Sequence, residues 1–196
     1  MEVALLLGLT GDGSPEPLGR RLPALDPDAI VLLGQRDDGF RAAIGAPSIA
    51  GRVSLHPAES MHAHPHEIAL RATEQLSRHS PAWWLHIDLD VLRGDQFPAC
   101  ASANDPAMPG GLSWAELAVI VKMALQAPRC RGMSFGVYNT DLDPDGDAAR
   151  SIVGFLAEIG PSSAAAATRR ADGRAAAAGG RPAGRVTPVS ARSSSG

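Results

Sequence analysis

Short apolar runs alternate with amphipathic stretches over residues 1–160, the pattern of helices packed on a mostly parallel sheet. Residues 29–34 form a continuous apolar run ending in glycine, as expected of a strand buried on both faces. Residues 83–90 and 133–138 predict two more strands, and residues 52–55 a weaker fourth. Helices fit between them. Pro65 suits a first helical turn, and Ile68, Ala69, Ala72 and Leu76 then fall on one stripe. Ser113-Trp114-Ala115-Glu116 has the capping-box spacing, which predicts a helix through residues 117–125 that stops before Pro128. Asp143-Pro144 predicts the start of a last helix with Ala148, Ile152, Phe155, Leu156 and Ile159 on its apolar face, stopped by Gly160-Pro161.

Composition changes this picture at both ends. Residues 1–9 are apolar, but Glu2 stands where a signal peptide needs a base. The run is also far short of the ~20 residues that span a bilayer, so a core-packing helix is expected. Beyond Pro161 large apolar side chains almost vanish into Ala, Gly, Ser and Arg. Such a segment cannot bury enough surface to offset its ordering entropy. Two units are therefore expected: an α/β domain over residues 1–160 and a disordered tail over 161–196.

Six arginines against Asp172 give the tail about +5, so the chain's formal -3 leaves about -8 on residues 1–160. The acidic domain gives no reason to expect nucleic-acid binding, and no run is long enough to predict a membrane span. Cys100 and Cys130 are too few for a disulfide framework and too far apart for a Cys-x-x-Cys site. A reduced, cytoplasmic protein is expected.

The candidate chemistry lies in His86-Ile87-Asp88-Leu89-Asp90. Alternate residues of a strand share a face, which puts His86, Asp88 and Asp90 together at the carboxyl end of a strand. Open α/β sheets place ligand sites there. Two adjacent carboxylates repel, burial raises the cost, and a divalent cation removes it. The same two acids could instead cap loops or pair with arginines such as Arg93. A cleft lined by the loop of residues 100–111 is expected beside them.

His56, His62, His64 and His66 crowd into eleven residues but lack an i, i+4 pair on one helix, so surface or capping roles are expected. Asp141-Leu142-Asp143-Pro144-Asp145-Gly146 imitates the start of a calcium loop, yet Ile152 stands where a bidentate Glu belongs. An acid-rich helix start explains the run.

Asp88-Leu89-Asp90-Val91-Leu92 followed by Pro109-Gly110-Gly111-Leu112-Ser113-Trp114-Ala115-Glu116-Leu117 resembles the ureohydrolase family of arginases, agmatinases and formiminoglutamases. There a strand ending in Asp-x-Asp is followed by Pro-Gly-Gly-Leu-Ser/Thr-x-x-Glu and a helix. Val31-Leu32-Leu33-Gly34-Gln35-Arg36-Asp37 and Tyr138-Asn139-Thr140-Asp141-Leu142-Asp143 are similar to two further family segments, in the right order. The resemblance implies a three-layer α/β/α sandwich with a mostly parallel sheet. It also implies a pair of Mn2+ ions and hydrolysis of guanidino or linear amidine C–N bonds, through a nucleophile the metals generate.

By the same resemblance Asp88 and Asp90 are metal ligands, with His86 a further candidate, and the partner is a small guanidino or amidine substrate. Self-association is left open. The family's Gly-Gly-Asp/Glu-His and Asp-Ala-His-x-Asp segments have no counterpart in the sequence, so an N-terminally truncated fold is expected. The family's guanidinium-recognising acid falls near Val137, and its Asp-Pro after Asp-x-Asp-x-x reads Arg93-Gly94. At most one weakly held ion and little or no urea release are therefore expected. Alternatives are a non-catalytic remnant or interaction protein, and a phosphatase of the haloacid-dehalogenase type with Asp88 as nucleophile and Asp90 as acid and base. The latter needs a downstream Lys, and Lys122 is the only lysine.

Overall fold

The computed structural model describes residues 2–9, 24–103 and 105–160. The expected tail lies outside the described residues. Among those described, the order is α1 (Glu2–Leu6), β1 (Val31–Gln35), α2 (Asp38–Ala43), β2 (Ser54–Pro57), α3 (Ala58–Met61), α4 (Pro65–His79), β3 (Trp83–Asp88), α5 (Trp114–Gln126), β4 (Cys130–Gly136) and α6 (Asp147–Ile159). Both ladders are parallel, β1 with β2 and β3 with β4. Parallel neighbours need a crossover between them, and the strand–helix alternation supplies it. The pairs form two separate two-stranded sheets.

Two apolar clusters hold these elements together, and α5 contributes to both. Leu117, Ala118 and Val121 pack with Ile87, Leu89, Leu92 and Phe97 and with Ala148, Phe155 and Ile159 of α6. Ile120 packs with Met61 of α3, Ala69 of α4 and Leu112. The helical repeat thus turns neighbouring apolar residues toward different partners. Phe97, Leu92 and Leu112 are wholly enclosed, each a burial worth roughly 1.5–3 kcal/mol. Phe97 meets Trp114 edge to face at 6.0 Å, and Trp114 lies 5.0 Å from the Phe155 ring, fixing the segment after β3 against α5 and α6.

The helix starts follow local chemistry. Ser113 and Glu116 form the full capping box, and Pro65 opens α4. In β1 the register shifts between Leu33 and Gln35. Gly34 sits at φ +82 there, and a Cβ on it would clash with Val91 Cγ2. Glycine thus permits both the irregular backbone and the close approach of Val91.

Several expectations are corrected. β3 ends at Asp88, not Asp90, because residues Leu89–Val91 turn as a 3-10 helix. The chain beyond then pairs with a different segment, Leu112 N donating to Val91 O and Arg93 N to Leu112 O. β4 begins at Cys130 and stops at Gly136. α6 begins at Asp147, because Asp143 acts as an acceptor for Ala148 N and Ala149 N from outside the helix. Leu156 is exposed. α1 is not a core helix: no described residue of it is buried, and Leu6 is exposed. β1 is not buried on both faces, since only Gly34 of Val31–Gln35 is buried and the rest are half-buried; β3 is one-sided, with Trp83 and Ile87 buried and Trp84, His86 and Asp88 exposed.

Candidate metal centre

Asp88 is the last residue of β3 and shares the exposed face of that strand with His86 and Trp84. The opposite β4 positions are small. Ser134 is in register with His86 and Gly136 with Asp88. A Cβ on Gly136 would lie 2.8 Å from Asp88 Oδ1 and 3.4 Å from His86 Nε2, and one on Gly132 would lie 2.7 Å from the Trp84 ring. Gly132, Ser134 and Gly136 therefore form a low floor across which the three large β3 side chains lie.

A polar chain runs over this floor. Trp84 Nε1 donates to Ser134 Oγ at 3.0 Å, Ser134 Oγ lies 2.7 Å from His86 Nδ1, and His86 Nε2 lies 3.2 Å from Asp88 Oδ1.

Asp90 leaves the strand and enters the 3-10 turn, half-buried. Burial first, and then the Asp88 carboxylate, push its carboxyl above the ordinary aspartate value, against the pull of Arg36 and of Ser102. The Ser102 hydroxyl donates to Asp90 Oδ2 at 3.4 Å. Arg36, just beyond β1, donates Nε to the Asp90 carbonyl at 2.8 Å and Nη1 to the carbonyls of Met108 and Gly110. It clamps the turn to the loop that follows. Asp88 thus ends the strand and Asp90 follows it in the turn, close enough for the Asp88 charge to raise Asp90.

A cavity of about 240 Å³ opens at the carboxyl ends of β1 and β2, lined among others by Arg36, Asp38, Glu59 and Pro109. Neither Asp88 nor Asp90 lines it, so this concavity adjoins the carboxylate pair without containing it. The loop after residue 100 reaches Asp90 through Ser102 and the cavity through Pro106, Ala107 and Pro109.

The remaining candidates are dispersed. His56 lies on β2, its pKa lowered by burial and then by Arg71. His62 Nδ1 meets Glu116 Oε1 at 2.8 Å. His64 precedes α4 without a side-chain capping bond, and His66 is exposed in its first turn. Asp143 takes the Tyr138 hydroxyl as well as the two α6 amides. Lys122 reaches Glu158 of α6 at 2.7 Å, which gives no support to a phosphatase lysine. Val137, just past β4, is exposed at φ +62, a left-handed backbone unusual for a β-branched residue.

The donor chemistry fits part of a divalent-cation site. Two hard carboxylates lie at a strand end and in the turn after it, and Asp90 resists ionisation through burial and the Asp88 charge, a penalty that a cation would remove. The set does not complete a two-ion cluster. Among the described residues no three His, Cys, Asp or Glu side chains gather around one point.

Ser134, Gly136, Ser102 and Trp84 were not singled out from sequence. The period-two run Gly132-x-Ser134-x-Gly136 was the available signal, but its meaning depends on which strand pairs with β4.

No family model and no curated protein matches the chain. Solved structures do. Arginase from Bacillus caldovelox matches at TM-score 0.61 and 21% identity, over 81% of this chain and 51% of its own. Arginase from Bacillus cereus matches at 0.63 and 23%, over 81% and 53%. Formimidoylglutamase from Bacillus subtilis matches at 0.58 and 21%, over 76% and 47%. Identities this low speak for fold alone. The chain has a partial ureohydrolase-type α/β fold, and it spans about half the length of the solved enzymes it matches.

Proposed function

We propose that this chain carries part of a metal-dependent hydrolase centre of the ureohydrolase type, directed at the C–N bonds of guanidino or linear amidine compounds. Asp88 and Asp90 would hold the cation; carboxylate oxygens suit Mn2+ as they do Mg2+ and Ca2+, and Mn2+ is the ion that the family resemblance implies. A bound divalent ion supplies Lewis acidity that makes water a nucleophile at neutral pH. The observation that carries the reading is the placement of Asp88 at the carboxyl end of β3 and of Asp90 in the turn that follows, where burial and the Asp88 charge raise Asp90. The likeness to arginase and formimidoylglutamase structures supports it.

The chain's own residues have separable tasks. Arg36 fixes the Asp90 turn, Ser102 holds one Asp90 oxygen, and Gly136 leaves the space Asp88 occupies. These residues orient carboxylates but provide too few donors for two ions, so activity of the chain alone should be weak or nil. Val137 offers no charge to orient a guanidinium. That same observation favours the second reading, a non-catalytic protein that keeps the fold.

The test is urea release from arginine, agmatine and guanidinobutyrate with Mn2+ present, for the wild type and Asp88→Ala. We expect at most trace release, lost in the variant. Robust turnover with two bound ions, abolished by Asp88→Ala, would overturn the claim of an incomplete centre. Release unaffected by Asp88→Ala would overturn the assignment of Asp88.

A further inference from the structure

We propose that His86 is a positioning residue for Asp88, set in place by Ser134 and Trp84, so that one carboxylate oxygen is held by the protein and the other is presented to a cation. The proposal rests on the metal reading of Asp88 and Asp90 and adds to it a role for residues outside that pair.

The direction of the chain follows from what each group can do. The Trp84 indole N–H can only donate, so Ser134 Oγ is its acceptor at 3.0 Å. An ionised Asp88 can only accept, so the facing His86 Nε2, at 3.2 Å, must carry a proton. In the neutral ring Nδ1 is then an acceptor, and the Ser134 hydroxyl, 2.7 Å away, donates to it. Trp84, Ser134, His86 and Asp88 form one relay, every donor matched to an acceptor. The same logic fixes the histidine tautomer, as the partner of one ring nitrogen commonly does.

Both ring nitrogens are thereby engaged, which makes His86 a poor direct ligand. It acts on Asp88 instead. Outer hydrogen bonds of this kind orient a metal-binding side chain and tune its affinity. The β4 floor makes the arrangement sterically possible. A side chain larger than glycine at 136 would strike Asp88 Oδ1, and one at 132 would strike the Trp84 ring. Trp84 is 58% exposed; its ring lies over Gly132 and its N–H is tied to Ser134.

Two measurements test the proposal. In the metal-free protein, 15N shifts of the His86 ring should report the Nε2–H tautomer, and Ser134→Ala should shift it toward a mixture. A wild-type ring with its proton on Nδ1 overturns the relay. Titration with Mn2+ alone, read as free-ion EPR signal, should show affinity falling roughly tenfold for His86→Ala and Ser134→Ala. His86→Gln, whose amide can reach as Nε2 does, should stay near wild type. Wild-type binding that is lost in Asp88→Ala but unchanged in His86→Ala overturns the positioning role and leaves the metal reading standing. Absence of Mn2+ binding in every variant overturns both. Circular dichroism of each variant separates these outcomes from misfolding.

Discussion

Replacing Glu116 with alanine removes the group that ties the start of α5 to the α3–α4 connection, one side of the loop leading from Asp90. Its Oε2 accepts from the Ser113 N–H and hydroxyl, both at 2.7 Å, and its Oε1 meets His62 Nδ1 at 2.8 Å. Burial is the largest single influence and acts to raise its pKa. The Ser113 backbone, His62 and the Ser113 hydroxyl together outweigh it and hold the carboxyl at about 2 instead of 4.5. At ~1.4 kcal/mol per pKa unit, that difference has a ceiling of roughly 3.5 kcal/mol. The side chain is 22% exposed, and solvent screening lowers the figure. Removal of a helix cap ordinarily costs ~0.5–2 kcal/mol, so roughly 1–2 kcal/mol is expected for Glu116→Ala. Because the folded pKa is depressed, this stabilisation is complete above the unfolded value of 4.5 and is lost as pH falls through about 2. Urea denaturation at pH 7 should show the full loss, which corresponds to a melting-point drop of roughly 2–8 °C in a domain of this size. The gap from wild type should close near pH 2. A loss under ~0.5 kcal/mol at pH 7, within the range of ordinary surface changes, or a gap unchanged at low pH, would refute the reasoning.

Val137→Gly should stabilise the protein by roughly 0.5–1 kcal/mol. It relieves ~1–2 kcal/mol of left-handed strain at φ +62 and adds ~0.5–1 kcal/mol of unfolded-state entropy; a lower urea midpoint would contradict this. Asp90→Asn should be more stable than wild type at pH 7. The raised folded pKa means that ionised Asp90 is a cost above that pKa, and the cost disappears as pH falls below the unfolded value. A destabilised Asp90→Asn at neutral pH would show that burial and Asp88 do not dominate there. Asp143→Ala removes the acceptor for Ala148 N and Ala149 N and should cost ~1 kcal/mol in thermal unfolding. An unchanged melt would mean α6 needs no cap.

What could be read from sequence was what neighbouring residues decide. The α5 start follows from Ser113 and Glu116 three positions apart in one box, and the α4 start from Pro65. The alternation of strands with helices likewise pointed to parallel pairing. The misread features depend on residues far apart in the chain. β3 stops at Asp88 while Arg36, fifty-four positions earlier, takes the Asp90 carbonyl. α6 starts late because Asp143 folds back as an acceptor instead of entering the helix. α2 and α3 are too short for an apolar period to appear. Asp88 and Asp90 were visible as a pair, but the Ser134 and Gly136 floor exists only once β4 is laid in register beside β3.

The central claim is that Asp88 and Asp90 bind a divalent cation together. Mn2+ titration of the full chain, followed by the loss of the free-ion EPR signal, addresses it directly, with Asp88→Ala and Asp90→Ala as the comparisons. We expect at most one weakly held ion in the wild type, with affinity lost in each variant. Binding that survives both substitutions, or no binding by the wild type at millimolar Mn2+, would contradict the claim.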